Sequence, residues 1–262
     1  MSLHVEVHGS GPPLVLLHGF TQTARLWGPF GDALAQDATL IGIDLPGHAG
    51  SDAVRADLPT TAQMVGDAVR ATIGDAPCHL LGYSLGARVA LHVAVGGHMT
   101  LDRMVLIGAT GGLEDPQMRQ QRREADTALA DALESSGDVD TFIARWVSGP
   151  MFTRLGRAAQ PDERRRNSAA GLASSLRLAG TGTQEPLWPV LGAVTIPVLA
   201  LAGSDDNRFS AHAQRLARQL PHGVAGFVPG GGHAVHLAQP ATTARLVRHW
   251  LSLTSIPPQS PP

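Results

Sequence analysis

The sequence predicts an α/β protein in which a mainly parallel sheet is flanked by helices. Short apolar runs that end at loop residues alternate with stretches of helical spacing. Near-continuous apolar runs are typical of strands that are covered on both faces, and strand–helix alternation favours a parallel sheet. We expect the functional residues of such a fold to gather at the carboxyl ends of the strands.

The elements follow one another in a regular order along most of the chain. The predicted strands lie at 13–19, 38–47, 78–84, 103–109 and 196–206, and the predicted helices at 60–73, 84–96, 210–220 and 241–253. Each of these strands is an apolar run, and each of these helices repeats its apolar residues at helical spacing. The last helix closes the fold.

The rhythm breaks between about residues 111 and 190. This segment is rich in arginine and acidic residues, has helical patterns at 117–134 and 138–147, and contains no obvious buried strand. We therefore predict a core formed by 1–110 and 191–255, an inserted helical cap over 111–190, and a tail at 256–262 that is disordered because it lacks apolar content.

Composition narrows the function classes. The chain has 262 residues, a formal net charge of -2, 43% hydrophobic and 16% charged residues, so charge gives no reason to expect nucleic acid or an anionic membrane as partner. The single cysteine, Cys78, excludes an internal disulfide framework. We see neither a signal peptide nor an apolar run of bilayer length. A cytoplasmic protein without an obligate protein partner is the resulting expectation.

The run Gly82-Tyr83-Ser84-Leu85-Gly86 fits the pattern G-x-S-x-G and lies between a predicted strand and a predicted helix. Glycines two residues to either side of the serine let the backbone pack closely in a tight turn. The serine oxygen is thereby held out at a helix N-terminus. We predict that Ser84 is a catalytic residue.

A serine hydroxyl needs a histidine that is oriented by a carboxylate, and in this architecture the acid follows the serine and the histidine comes last. We predict Asp206, three residues after Gly203, as the acid and His233, in a glycine-rich loop, as the base. Asp205 is the alternative acid, and N-capping of the next helix is the alternative role for either aspartate. His236 completes an H-x-x-H pair, which without nearby cysteine or acidic ligands is a poor metal site, so no metal is predicted.

The segment "LLHGF" at 16–20 follows an apolar strand and forms a turn. The backbone N–H groups of Phe20 and Leu85 can then face Ser84 as an oxyanion hole. Such a hole stabilises negative charge on oxygen, whether in a tetrahedral intermediate or in an enolate.

Several of these segments together resemble the α/β-hydrolase superfamily across essentially the whole chain. They are "LHGF", "DLPGHAGSD" (44–52), "GYSLG", "GSDD" and "GGGH". The resemblance implies an eight-stranded, mostly parallel sheet with a helical cap over the site. The fold hosts many chemistries, so it does not by itself supply the reaction.

Further patterns resemble the 2-succinyl-6-hydroxy-2,4-cyclohexadiene-1-carboxylate (SHCHC) synthases of menaquinone biosynthesis. They are G-Y-S-x-G-x-R at 82–88, R-R-x-x-D at 122–126, "RWVSGPMF" at 145–152, G-T-G-x-Q-x-x-L-W at 180–188, G-x-x-D-x-[KR]-F at 203–209 and H-x-x-H at 233–236. Two small-for-small departures are Ala87, where glycine is usual, and Ala49 in the D-x-P-G-H-G segment.

The resemblance implies a lyase that eliminates pyruvate from a small anionic substrate, with the Ser-His-Asp triad as general base and no cofactor. A substrate with three carboxylates calls for guanidinium groups, and Arg88, one helical turn after Ser84, is placed to supply one. The implied substrate-binding residues are Arg88, Arg122, Arg164, Tyr83 and Trp146. Arg165 and Arg166 remain alternatives to Arg164, because the register of this arginine run is open.

Two other function classes stay open at this stage. One is a serine hydrolase of esters or of C–C bonds, in which Ser84 is a covalent nucleophile. The other is a ligand-binding module that keeps the triad without meaningful turnover.

Overall fold

A central sheet organises the part of the chain that the computed structural model describes, residues 2–152, 155–159 and 161–253. Its strands are Val5–Gly9 (β1), Pro13–Leu17 (β2), Thr39–Ile43 (β3), Cys78–Tyr83 (β4), Leu101–Ile107 (β5), Val198–Gly203 (β6) and Gly223–Val228 (β7). They are ordered β1-β3-β2-β4-β5-β6-β7. Only β1 is antiparallel to its neighbour, and every other pair is parallel. The predicted tail at 256–262 lies outside the described residues.

The described residues form seven strands, so the expected count of eight is wrong for this sheet. The chain before β1 stays against β3, because the His4 carbonyl accepts a hydrogen bond from the Asp44 N–H. No described segment pairs with the outer edge of β1, where Val7 is exposed. The five central strands coincide with the predicted apolar runs, whereas β1 and β7 are edge strands with mixed burial.

Ten α-helices accompany the sheet within the described ranges. They are Gly28–Leu34 (α1), Leu58–Ile73 (α2), Leu85–Gly96 (α3), Pro116–Ser136 (α4), Val139–Val147 (α5), Pro161–Arg164 (α6), Ala169–Ala179 (α7), Asn207–Gln219 (α8), Val235–Ala238 (α9) and Pro240–Ser252 (α10). Short 3-10 segments lie at Ala49–Ser51, Pro150–Phe152, Gly156–Ala159 and Trp188–Ala193. Among the predicted helices the largest shift is at α8, which begins at Asn207 instead of at residue 210.

Local signals explain where a helix such as α2 begins and ends. The Asp57 side chain accepts a hydrogen bond from the Thr60 N–H at 2.9 Å and so caps the first turn. Pro59 sits in that turn, where its missing N–H costs nothing. Gly74 ends the helix at φ 68, a conformation that favours glycine.

Side chains alternate between the two faces of the sheet, and each face carries its own apolar core. On β2, Leu14 and Leu16 belong to one core, and Val15 and Leu17 belong to the other. Helices α1 and α10 cover the first core, whose members include Phe30, Leu34, Val247 and Trp250. Helices α2, α3 and α8 cover the second, whose members include Val65, Val89, Ala213 and Leu216. Because both faces are buried, the strands are apolar throughout.

The described residues between β5 and β6 contain helices and no strand. Helices α4 and α7 pack on each other around Ala130, Ala173 and Leu176. The two ends of the segment meet, because Trp188 Nε1–H donates to the Gly112 carbonyl at 2.9 Å. The division into a core and a cap with boundaries at 111 and 190 stays a prediction.

Within the described ranges, no helix combines the length and the apolar character needed to cross a bilayer.

Candidate active site

Ser84 occupies a strained corner between β4 and α3. Its backbone has φ 51 and ψ -104, and left-handed φ values are rare for residues other than glycine. The turn packs against β2, because a Cβ atom at Gly86 would lie 2.0 Å from the Leu17 carbonyl oxygen. The Ser84 N–H donates to the Ile107 carbonyl at 2.9 Å. The corner is therefore fixed by both neighbouring strands.

His233 lies beside this serine. Its Nε2 atom is 3.1 Å from Ser84 Oγ, and its Nδ1 atom is 3.4 Å from Asp206 Oδ2. The second pair lies within ion-pair distance but lacks hydrogen-bond geometry. The structure thus brings all three predicted catalytic residues together, in the order serine, imidazole, carboxylate.

Asp206 has two separate contacts, one for each carboxylate oxygen. Oδ1 accepts a hydrogen bond from the Phe209 N–H at 3.1 Å and caps α8, while Oδ2 faces His233. Burial acts to raise the pKa of Asp206, but the His233 imidazole and the Phe209 N–H outweigh it and lower the pKa. The alternative roles of cap and triad member are therefore compatible. Asp205 accepts a hydrogen bond from Ser204 Oγ at 3.0 Å.

The turn at 18–21 lies directly beside the serine corner. The Gly86 N–H donates to the His18 carbonyl at 3.0 Å, which joins the turn to the first residues of α3. Phe20 and Leu85 both line the cavity that contains Ser84. Among the described residues, no backbone acceptor is found for the N–H groups of Phe20 and Leu85. These two N–H groups are thus available as donors, as expected at a helix N-terminus and in a turn.

Two buried histidines hold this turn. Leu45 N–H donates to His18 Nε2 at 3.0 Å, so Nδ1 carries the proton and donates to the Gly19 carbonyl at 2.9 Å. In the same way His48 Nε2 accepts from the Thr21 N–H at 3.3 Å. Burial lowers the pKa of His18 to about 4 and that of His48 to about 3, so both rings are neutral. The sequence analysis missed both roles, although each ring lies in a quoted segment.

A cavity opens above Ser84. Its walls come from strand ends, from α3, from α8 and from the helices between β5 and β6. The lining residues are Phe20, Ser84, Leu85, Arg88, Gly108, Thr110, Arg122, Trp146, Met151, Ser175, Leu176, Ala179, Gly180, Thr181, Arg208, Phe209 and His233. Three of them are arginines, and Arg208 is one that the sequence analysis did not select.

Arg88 is a buried cation that faces this cavity. Arg88 is 8% exposed, and its Nη1 atom has no hydrogen-bond partner among the described residues. Burial, together with the nearby Arg122 charge, lowers the pKa of Arg88 to about 10. Arg122 is partly exposed, and its Nε–H donates to both carboxylate oxygens of Asp126 at 2.9 Å. Buried charges are normally paired, and no carboxylate among the described residues forms an ion pair with Arg88.

Arg164 is a second buried arginine that shares a cavity with Ser84. It is 1% exposed, its Nε–H donates to the Ala159 carbonyl at 2.7 Å, and its Nη1 donates to Thr21 Oγ1. Desolvation lowers the pKa of Arg164 to about 10. Together with Ser84 it lines a second, smaller cavity.

The neighbouring arginines of the same run point elsewhere. Arg165 is exposed and pairs with Asp140 and Asp162, while Arg166 pairs with Glu163 at 2.8 Å. The structure therefore brings Arg164 to Ser84, and it places the other two in surface ion pairs.

The two predicted aromatic residues line the smaller cavity as well. The Tyr83 ring lies 5.4 Å from the His233 ring and 4.3 Å from the His236 ring, and burial raises the pKa of its phenol. The Trp146 ring lies 5.0 Å from the Phe20 ring. Neither the Tyr83 hydroxyl nor the Trp146 Nε1–H has a partner among the described residues.

His236 is fully buried and packs against aromatic rings, with ring centroids 5.5 Å from Trp27 and 5.8 Å from Phe30. In the described part of the chain, neither of its ring nitrogens has a partner, and no group of three or more potential ligand side chains is placed to hold a metal ion.

Comparison with known proteins places this chain in a family. Residues 14–246 match the model of the Alpha/beta hydrolase family. The chain is 34% identical over 249 residues to a putative SHCHC synthase of Bacillus subtilis, covering 91% of this chain and 90% of the relative. It is 34% identical over 247 residues to the SHCHC synthase of Photorhabdus laumondii, covering 92% and 86%.

Solved structures give the same result for the fold. MenH from S. aureus superposes with a TM-score of 0.87 at 26% identity, covering 95% of this chain and 97% of that one. A thermophilic esterase from Thermogutta terrifontis has a TM-score of 0.80 at 21% identity, covering 95% and 92%, which is a likeness of fold alone. The chain therefore belongs to the alpha/beta hydrolase family and, within it, to the family of the SHCHC synthases.

Proposed function

We propose that the protein is a lyase that eliminates pyruvate from 2-succinyl-5-enolpyruvyl-6-hydroxy-3-cyclohexene-1-carboxylate and gives SHCHC in menaquinone biosynthesis. The observation that carries the proposal is the distribution of guanidinium groups around Ser84. Arg88 and Arg122 line the cavity above Ser84, and Arg164 lines the smaller one. Relatives that bear the SHCHC synthase name support the same reaction.

The charge of the proposed substrate fits these cavities. It carries a ring carboxylate, a succinyl carboxylate and an enolpyruvyl carboxylate, and guanidinium groups bind carboxylates through two parallel hydrogen bonds. Arg88 and Arg164 are buried cations without a carboxylate partner among the described residues. An anionic guest would supply the missing counter-charge, which an uncharged ester would not.

In the proposed mechanism Ser84 and His233 act together as a general base. The substrate proton next to the succinyl ketone passes to Ser84 Oγ as the hydroxyl proton passes to His233 Nε2, 3.1 Å away. Asp206, at 3.4 Å from Nδ1, stabilises the imidazolium that forms. The enolate oxygen accepts hydrogen bonds from the N–H groups of Phe20 and Leu85.

Elimination then completes the reaction. The enolate electrons form a ring double bond between C2 and C3, and the existing ring double bond shifts from C3–C4 to C4–C5. The C5–O bond to the enolpyruvyl group then breaks, and the departing oxygen takes the proton from His233. The enol of pyruvate becomes pyruvate, and Ser84 and His233 return to their starting protonation states. The atoms and electrons balance within the substrate and these residues, so we propose no cofactor and no covalent intermediate.

We propose that residues 111–190 form a cap that supplies Arg122, Trp146 and Arg164 to the site. We propose a cytoplasmic enzyme without an obligate partner, since its single cysteine, Cys78, is free and buried and its net charge is only -2.

A pyruvate-release assay tests the proposed function. The enolpyruvyl precursor is made in situ by the preceding enzyme of the pathway, and pyruvate is followed with a coupled dehydrogenase. We expect the protein to accelerate pyruvate release well beyond the spontaneous rate. No acceleration would refute the lyase and favour the hydrolase.

The serine hydrolase is the second candidate, and one specific observation favours it. The strained Ser84 corner with His233 at 3.1 Å is also the arrangement that nucleophilic acyl transfer requires. Stoichiometric labelling by a serine-directed phosphonate, together with ready hydrolysis of aryl esters, would support it. Tight binding of a small molecule without any product would instead indicate a binding module.

A further inference from the structure

The cavity above Ser84 contains a further hydroxyl, that of Ser175, which takes no part in the proposed mechanism. Ser175 lies on α7 and is 6% exposed, and it lines the same cavity as Ser84, Arg88 and Arg122. Among the described residues, no hydrogen bond of its hydroxyl is found. Hydroxyls in helices commonly donate back to a carbonyl of the preceding turn, as Thr72 does to Ala68 at 2.8 Å.

Ser175 is buried, but its Oγ atom is not one of the enclosed polar atoms that lack a partner, so this atom is accessible from the cavity. A hydroxyl in this position can donate a hydrogen bond to a bound ligand. Arg88 lines the same cavity, and its Nη1 atom also lacks a partner in the described chain. A ligand bound in this cavity could supply the hydrogen-bond acceptor that both side chains lack.

We propose that Ser175 is a substrate-binding residue whose hydroxyl donates a hydrogen bond to the carboxylate held by Arg88 and Arg122. It thereby contributes to selection for substrates that carry a carboxylate at this end of the cavity. A site built from hydrogen-bond donors rejects analogues that lack the acceptor, because its buried donors then stay unpaired. This assignment rests on the proposed function for the identity of the ligand.

The test compares Ser175→Ala with Ser174→Ala, a neighbour on α7 that does not line the cavity. Binding of the product SHCHC is measured by titration calorimetry. A hydrogen bond to a charged group is worth about 1.5–3 kcal/mol, so Ser175→Ala should raise the Kd about tenfold or more. Ser174→Ala should leave the Kd within about twofold. Equal Kd values for wild type and Ser175→Ala would overturn the assignment.

A double variant shows whether Ser175 acts on the same carboxylate as Arg88. In an Arg88→Met background the carboxylate is held poorly, and the effect of Ser175→Ala should shrink clearly. An undiminished effect would overturn the shared carboxylate. A structural role for the hydroxyl is checked by the melting temperature without ligand, which should not fall in Ser175→Ala, since no protein hydrogen bond is lost. A fall would count against the assignment.

Binding and turnover separate the two proposals. If wild type binds SHCHC but does not release pyruvate from the precursor, the lyase is refuted and the Kd of Ser175→Ala still decides the role of Ser175. If wild type does not bind SHCHC, both proposals fail.

Discussion

Gly180 lies directly against the carboxylate of Asp126: a Cβ atom at Gly180 would come within 2.5 Å of Asp126 Oδ2. The same carboxylate accepts both hydrogen bonds from Arg122 Nε–H. The turn that follows α7 is also tied to α4, because Arg123 Nη1 donates to the Gly182 carbonyl at 2.9 Å. The glycines of the 180–188 run thus let a turn of backbone pack against the residues that orient Arg122.

Replacing Gly180 by alanine should disturb Arg122. The φ of -60 at residue 180 suits alanine, so the effect comes from the new Cβ atom, which would lie 2.5 Å from Asp126 Oδ2 and 2.5 Å from the Leu176 carbonyl oxygen. We expect KM in the pyruvate-release assay to rise severalfold and the free energy of unfolding to fall by about 1–3 kcal/mol. Gly192→Ala is the matched control, because a Cβ atom there meets open space. An unchanged KM in Gly180→Ala would contradict this account of the turn.

Ser84 carries the reactive hydroxyl and also has a strained backbone. Two variants distinguish the effect of the hydroxyl on turnover from the effect of the strain on stability. Both Ser84→Ala and Ser84→Gly remove the hydroxyl, so turnover should fall by several powers of ten while SHCHC affinity stays largely intact. Only glycine accepts φ 51 without cost. The free energy of unfolding, measured with denaturant, should therefore be higher for Ser84→Gly than for Ser84→Ala by about 1 kcal/mol or more. Near-normal turnover in Ser84→Ala would show that the triad assignment is wrong.

Asp206→Asn isolates the carboxylate charge. Asparagine still accepts the Phe209 N–H and caps α8 about as well, so the melting temperature should barely change. The imidazolium loses its counter-charge, and kcat should fall about 10³–10⁴-fold. Asp205→Asn is the control and should keep most of the activity. If Asp205→Asn is the inactive variant instead, the acid has been assigned to the wrong neighbour.

The sequence was sufficient for the features that repeat or that follow a fixed chain order. The five central strands are buried on both faces, so their apolar runs predicted them, whereas β1 and β7 are edges whose mixed burial gives no such run. Ser84, Asp206 and His233 meet because the order of strand ends in this fold brings them together.

Features that depend on tertiary register could not be read in this way. Arg164 enters the site and Arg165 does not, and a short helix such as α6 carries no periodicity that distinguishes them. The roles of His18 and His48 depend on backbone N–H groups of distant turns, which no residue pattern marks. Ser175 looks like any helical serine until its neighbours in the cavity are known.

Arg88 should strengthen substrate binding and at the same time lower the stability of the folded protein. Arg88→Met keeps much of the side-chain volume and removes a buried charge that lacks a partner in the described chain. We expect KM to rise at least tenfold, from the loss of charge-assisted hydrogen bonds, and the melting temperature without ligand to rise. Arg177→Met is the control, since Arg177 pairs at the surface with Asp131 and Glu134. Arg177→Met should raise neither KM nor the melting temperature. A lower melting temperature in Arg88→Met than in wild type would contradict the prediction.

The buried histidines should make the protein less stable in mild acid. Burial lowers the pKa of His18 to about 4 and those of His48 and His236 to about 3, from an ordinary 6.5. Between pH 6.5 and about 4 the unfolded chain therefore binds more protons than the folded protein. The free energy of unfolding is highest above pH 6.5 and falls as the pH drops, by about 1.4 kcal/mol per pH unit for each ring.

His236→Leu tests this pH dependence at the ring that is simplest to remove. Neither nitrogen of His236 has a partner among the described residues, so the replacement removes the titration without removing a known hydrogen bond. The free energy of unfolding is measured with urea at pH 7, 6 and 5. Its slope against pH should be smaller in His236→Leu than in wild type, by the amount that corresponds to the uptake of about one proton. His249→Leu, which removes an exposed ring, should keep the wild-type slope. The same slope in His236→Leu and wild type would mean that His236 is not neutral in the folded protein over this pH range.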